Sequence, residues 1–230
     1  MLSGEEVIAS IRQRTDTILL AFSCGKDSIG AWLECRKHFP RIVPYYMYLI
    51  PDLEFVETSI RHYEEWFGCR IMRVPHPSLY RMLNQLVFTP PERCRTIERF
   101  SLETFDYSDM QTAIREHLGL GDQCYTASGV RAVDSPQRML ALRKWGAISE
   151  RKRQFFPVWD WRKARLVEEI TAAGVRLPVD YRIFGRSFDG LDYRFLAPIK
   201  EHFPRDYERI LEWFPLADLE IMRRDYAERG

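Results

Sequence analysis

The residues best suited to chemistry are Ser23-Cys24-Gly25-Lys26-Asp27-Ser28, directly after the apolar run Thr17-Ile18-Leu19-Leu20-Ala21-Phe22. A strand that runs into such a turn and then into a helix presents backbone N–H groups and a helix N-terminus to an anion, and the lysine adds a point charge. The chemistry is phosphate binding. A second segment runs from Ser128 to Arg138. In it Gly129 lets a ligand approach the backbone closely, and Ser135 before Pro136 reads as a helix start. Arg131 and Arg138 can converge on an anion, or can be solvated arginines at a helix N-terminus whose dipole they oppose. A third segment is Pro51 to Thr58. There Asp52 can bind a ribose hydroxyl, hold Mg²⁺, or simply cap the next helix.

The spacing excludes two common phosphate motifs. G-x-x-x-x-G-K-[ST] is absent because no glycine lies five positions before Gly25, and G-x-G-x-x-G is absent throughout. A plain strand–turn–helix junction with Asp27 and Ser28 as caps is the structural alternative.

The chain has 230 residues, a net charge of +1 and 5 cysteines. This length suits one large domain or a domain with an appendage. The near-zero charge does not by itself demand a nucleic-acid partner. Cys24, Cys35, Cys69, Cys94 and Cys124 are odd in number and lack C-x-x-C spacing, which argues against a disulfide framework, a zinc ribbon or a local iron–sulfur motif. Cys94 lies between Arg93 and Arg95, as a thiol that neighbouring cations can activate or as a small buried hydrophobe, and Cys24 lies in the phosphate loop as a reactive thiol or a small filler. No apolar run is long enough to cross a bilayer and the first residues do not read as a signal peptide, so a cytoplasmic location is expected.

The elements that must position these residues follow from the apolar pattern. Strands are expected over 17–23, 42–50, 69–74 and 124–130, alternating with helices near 26–38, 54–67, 79–88 and 109–118. This alternation reads as an α/β fold with a parallel sheet, whose ligands bind at the carboxyl ends of the strands. Residues 148–159 suggest a hairpin or irregular strand. Asp160 is expected to cap a helix over 162–173, and 177–204 to be mostly irregular. Short helices are expected over 204–213 and 215–226. A soft boundary near Gly146 divides a nucleotide-binding core (1–146) from a mostly helical and irregular C-terminal extension (147–230). Cationic residues gather across 143–165 beside Trp159 and Trp161, either as a solvated face or as a surface for nucleic acid.

Taken together, these segments resemble the phosphoadenosine phosphosulfate (PAPS) reductase family of PP-loop enzymes, within the adenine nucleotide α-hydrolase superfamily. Ser23–Ser28 is similar to its pyrophosphate loop. Asp52–Thr58 is similar to D-T-G-x-x-F-P-E-T, with Leu53-Glu54 in place of Thr-Gly. Gly129, Arg131, Ser135 and Arg138 match G-x-R-x-x-x-S-x-x-R, and Pro157 with Asp160-Trp161 resembles P-x-x-D-W. The matches span residues 17 to 175, and Tyr181–Gly190 is similar to small phage and prophage members.

The resemblance implies a Rossmann-like, HUP-type fold that binds ATP (or PAPS) with Mg²⁺. Ser23, Cys24, Gly25, Lys26, Asp27 and Ser28 would hold the pyrophosphate, with Asp52, Gly129 and Ser135 also binding nucleotide and Asp27 or Asp52 as metal ligands. Lys26, Asp27, Arg131, Arg138 and Cys94 would carry the chemistry, and the strand ends Ala21-Phe22 and Tyr46-Met47 would face adenine. The implied reaction is cleavage at the α-phosphate to AMP or an adenylated acceptor and pyrophosphate, in sulfur transfer with a sulfur-donor protein or in nucleic-acid modification. The chain departs from true sulfonucleotide reductases: its last cysteine is Cys124, with no C-terminal E-C-G-L-H-like tail. Sulfonucleotide reduction needs a thiolate to attack sulfur and a second thiol to release it. A reductase that uses Cys94 or a partner's thiol, and a non-catalytic nucleotide- or nucleic-acid-binding subunit, are the alternatives. No iron–sulfur cluster and no membrane partner are expected.

Overall fold

The computed structural model describes residues 1–100 and 102–229. The chain forms two compact units. The first comprises Met1–Tyr46, Cys69–Arg73 and Tyr107–Leu177, and the second Met47–Gly68, Val74–Asp106 and Pro178–Gly230. Gly146, the expected boundary, falls inside the first unit.

The first unit is built on the central strand β1 (Thr17–Ala21). Its Ile18, Leu19 and Leu20 are fully buried, as a parallel strand covered on both faces requires. It pairs in parallel with β2 (Arg41–Tyr48) on one side, Ala21 opposite Tyr45, and with β4 (Thr126–Ser128) on the other, Ala21 opposite Ser128. Together with β3 (Met72–Pro75), β5 (Ile148–Ser149) and β6 (Gln154–Phe155), the sheet order is β3-β2-β1-β4-β6-β5. β5 and β6 pair antiparallel, the hairpin of the two alternatives expected over 148–159, and β4 pairs in parallel with β6. The fold is therefore a Rossmann-like, mostly parallel sheet flanked by helices. Strand order reverses between β1 and β4, and such a switch point is where open α/β sheets bind ligands.

Several helices lay outside the sequence reading. Helix α1 (Gly4–Arg12) opens with a capping box in which Ser3 and Glu6 satisfy each other's backbone N–H groups. It buries Val7, Ile8 and Ile11 completely. Asp160 does not cap the helix that follows it. Its carboxylate accepts from Gly4 N at 3.0 Å, at the start of α1, while α8 (Lys163–Ala172) begins after Arg162 without a side-chain cap. Gly4 has no room for a side chain, because an added Cβ would lie 2.4 Å from Pro157 O. α2 (Lys26–Cys35) packs on α8, where Leu166 and Trp161 fill the space beside Gly30.

The second unit holds α3 (Glu54–Phe67), α4 (Pro77–Asn84), α5 (Pro91–Phe100), α9 (Val179–Phe184), α10 (Tyr193–His202), α11 (Pro204–Trp213) and α12 (Leu219–Arg229). The stretch expected to be irregular, 177–204, thus contains two helices. Phe188 and Phe195 of this stretch are buried, and its phenylalanines pack around Phe55, which stacks on Phe203 at 4.9 Å and meets Phe184 and Phe188 edge-on. Asp206 is buried and fastens this core. Its carboxylate accepts from Glu54 N at 2.6 Å and Phe55 N at 3.0 Å, so it caps α3 from a distant helix. Asp206→Ala should leave the Glu54 and Phe55 N–H groups without this acceptor, the second of them buried, and cost about 1–3 kcal/mol, measured by urea denaturation at neutral pH.

Asp180 is the second buried carboxyl here. One oxygen accepts from Phe188 N at 3.1 Å, and Oδ1 has no hydrogen-bond partner. Burial raises its pKa, only partly offset by the backbone donors of Phe188 and Asp180 itself. A raised folded-state pKa means the native state holds a proton that the unfolded chain has released. The associated stability is present below the ordinary carboxylate pKa and is lost as pH rises through the raised one. Asp180→Asn should flatten this part of the stability–pH profile and stabilise the protein at neutral pH, measured by denaturant midpoints across pH 4 to 7.

Candidate nucleotide site

The site in the first unit starts at the carboxyl end of β1. Phe22 N still bonds to Tyr45 O at 2.9 Å, extending the ladder by one residue. Cys24 then takes a left-handed conformation with φ 58° and is buried, which turns the chain sharply. Gly25 is the N-cap residue of α2 and has no side chain with which to cap it. Neither Asp27 nor Ser28 is the cap; both lie inside the first turn. The start of α2 therefore offers its backbone N–H groups without an N-cap side chain in front of them.

The hydroxyls hold this turn rather than point away from it. Ser28 Oγ donates to Gly25 O at 2.8 Å and accepts from Ser23 N at 3.2 Å. Ser23 Oγ accepts from Gly25 N at 3.4 Å. Phe22 packs edge-on against Trp32 at 5.5 Å and is buried in the core.

The carboxyl end of β4 brings the second segment alongside. An added Cβ at Gly129 would sit 2.5 Å from Asp27 C and O and 2.8 Å from Ser28 N. The close approach expected of a ligand is thus made by the first turn of α2 itself. Arg131 follows in extended backbone with only 3% of its surface exposed. Its Nε lies 2.7 Å from Asp27 Oδ1 in an ion pair in which neither atom completes a hydrogen bond. Its Nη2 donates to Asp134 Oδ1 at 2.8 Å, and its buried Nη1 has no hydrogen-bond partner. Lys26 Nζ reaches Asp27 Oδ2 at 3.3 Å, and Arg138 Nη1 reaches Asp134 Oδ2 at 2.9 Å.

Ser135 is the N-cap of α7 (Pro136–Trp145), its Oγ accepting from Arg138 N at 3.2 Å. Ser23, Cys24, Gly25, Lys26, Asp27, Ser28, Gly129, Arg131, Ser135 and Arg138 are therefore brought together in one unit. Asp134 completes the arrangement and was given no role by the sequence reading. The only signal for it was its spacing, three residues after Arg131 and four before Arg138.

The other two site candidates belong to the second unit. Asp52 adopts φ 58° and precedes Leu53, the N-cap residue of α3; it caps nothing there, since Asp206 performs that task. Cys94 lies on α5, and its thiol donates to Pro90 O at 3.4 Å. That unit also contains a cleft of about 440 Å³, walled by Phe55, Val179 and Phe203 and edged by Thr58, His202 and Arg205.

In the basic region, Trp161 is buried with Arg165 stacked on it at 4.6 Å, and Arg153 is paired with Asp122 at 2.8 Å. Arg143, Lys144, Arg151 and Lys152 are exposed, and so is Trp145, with Lys144 Nζ 4.6 Å above its ring. Among the described residues, no group of three or more His, Cys, Asp or Glu is placed to hold a metal ion, and no helix is long and apolar enough to cross a membrane.

No protein-family model matches the chain, and no curated protein does either. Among solved structures, it is similar to the NH3-dependent NAD synthetase from Campylobacter jejuni in complex with nitrate. The identity is 11%, the TM-score 0.48, and the match covers 95% of this chain and 93% of that one. It is also similar to a predicted subunit of tRNA methyltransferase from Methanocaldococcus jannaschii, at 15% identity and a TM-score of 0.35, covering 83% and 92%.

Gly129→Ala tests the packing that joins the two strand ends. The added methyl meets backbone rather than a mobile side chain, so the first turn of α2 must shift. The expected cost is about 1–3 kcal/mol, read as a lowered melting temperature.

Proposed function

We propose that this chain is a PP-loop enzyme that binds ATP at the start of α2 and cleaves it at the α-phosphate, releasing pyrophosphate and leaving AMP or an adenylated acceptor. The observation that supports this most is the pairing of an α2 start capped only by Gly25 with a buried arginine whose Nη1 has no partner. Buried donors of this kind match phosphate oxygens in geometry and charge.

In this reading the first-turn amides of α2 and Lys26 hold the β- and γ-phosphates. Arg131 and Arg138 face the α-phosphate and the developing charge on the bridging oxygen. The acceptor's oxygen or sulfur attacks the α-phosphorus, the bond to the bridging oxygen breaks, and pyrophosphate leaves. Orientation and charge stabilisation supply the acceleration, as in other phosphoryl transfers. Mg²⁺, when bound with the triphosphate, neutralises phosphate charge. Asp27 in the loop would be the residue of this unit to ligate it.

A sulfonucleotide reductase draws less support. Burial raises the Cys35 and Cys124 thiols, and the Cys94 thiol is engaged with a backbone carbonyl. The exposed cations Arg143, Lys144, Arg151 and Lys152 support an anionic acceptor, with nucleic acid as the polymer that matches their spread.

Lys26→Ala should weaken ATP binding at least about tenfold, roughly 1.4 kcal/mol, without lowering the melting temperature. Isothermal titration with ATP and Mg²⁺ measures it. Unchanged affinity would remove the loop from the site. Pyrophosphate release from ATP in the presence of candidate acceptors tests the reaction itself.

A further inference from the structure

The charged groups of the first unit form one continuous chain: Lys26, Asp27, Arg131, Asp134 and Arg138, linked by contacts of 3.3, 2.7, 2.8 and 2.9 Å. Asp134 holds the centre of its outer half. It closes the short 3₁₀ turn Ala132–Asp134 and gives one carboxylate oxygen to each arginine. A guanidinium carries five N–H donors in a planar fork. Asp134 engages only Nη2 of Arg131 and Nη1 of Arg138, and the buried Nη1 of Arg131 keeps no partner.

The two arginines depend on this carboxylate differently. Arg131 is buried, and a buried cation without a counter-charge is costly. Asp27 gives it a contact but no completed hydrogen bond. Arg138 is half-exposed in the first turn of α7, where the helix dipole repels it, and Asp134 is its ion-pair partner among the described residues. A long exposed side chain without that partner samples many rotamers.

We propose that Asp134 is a positioning residue of the nucleotide site: it fixes Arg131 and Arg138 as one unit so that their unbonded N–H edges meet the phosphates together. This rests on the nucleotide reading above. A carboxylate close to bound phosphate would ordinarily weaken binding by repulsion, so the sign of its removal discriminates the two roles.

The experiment is calorimetric titration with ATP and Mg²⁺ of the unaltered protein, Asp134→Asn, Arg138→Gln and the double variant, with melting temperatures in parallel. Asp134→Asn and Arg138→Gln should each weaken binding about tenfold, and the double variant should be no weaker than about threefold beyond either, because residues that act as a unit are not additive. Asp134→Glu, which keeps the charge and an acceptor for each arginine, should stay within about threefold of the unaltered protein. It also guards against loss of folding in the Asn variant. ATP bound equally well or more tightly by Asp134→Asn, or multiplied losses in the double variant, would overturn the proposal. A folded Glu variant as weak as the Asn one would do the same. Failure of the unaltered protein to bind ATP would instead bring down the nucleotide reading.

Discussion

The arrangement depends on one buried cation. Arg131 is almost wholly removed from solvent, yet no carboxylate satisfies all of its donors. The desolvation of a guanidinium is recovered only through counter-charges and hydrogen bonds. Asp27 supplies the first from the loop and Asp134 the second from the following turn. The carboxyl ends of β1 and β4 are tied together by this ion pair and by the absence of a side chain at Gly129. The loop, the first turn of α2 and the start of α7 therefore behave as one structure, at whose centre the buried Nη1 of Arg131 has no hydrogen-bond partner.

The same physics explains how the loop keeps its shape. A glycine N-cap gives the helix start no side-chain cap, and a left-handed residue at Cys24 carries a conformational cost for a non-glycine side chain. The bonds between Ser23, Gly25 and Ser28 offset that cost and hold the turn in place. Preorganised donors of this kind lose little freedom when an anion arrives. The hydroxyls thus act on the loop's own backbone.

Much of this was legible in the sequence, for local reasons. The apolar run before the loop gave β1, and Ser135-Pro136 gave the start of α7 with its cap. α3 begins and ends where periodicity placed it, closed by Gly68 in a left-handed conformation. Helix α1 was missed although Ser3 and Glu6 carry the capping-box spacing in plain view. Other features were not legible because they join distant parts of the chain. Asp160 caps α1 across 156 positions, and Asp206 caps α3 across 152. A carboxylate beside a helix start looks like the cap of that helix, and here the nearer assignment for Asp160 fails. The aromatics of 177–204 looked irregular because glycines and prolines break their periodicity, whereas they pack as a core around Phe55. Asp134 escaped notice because its role exists only once two arginines converge on it.

In the proposed function, phosphate oxygens at the start of α2 accept the hydrogen bond that Arg131 Nη1 lacks. A crystal structure with a non-hydrolysable ATP analogue tests it most directly. Phosphate oxygens are expected within hydrogen-bonding reach of both the first turn of α2 and Arg131 Nη1. An analogue bound elsewhere, with the Ser23–Ser28 turn and Arg131 unchanged and untouched, would contradict it.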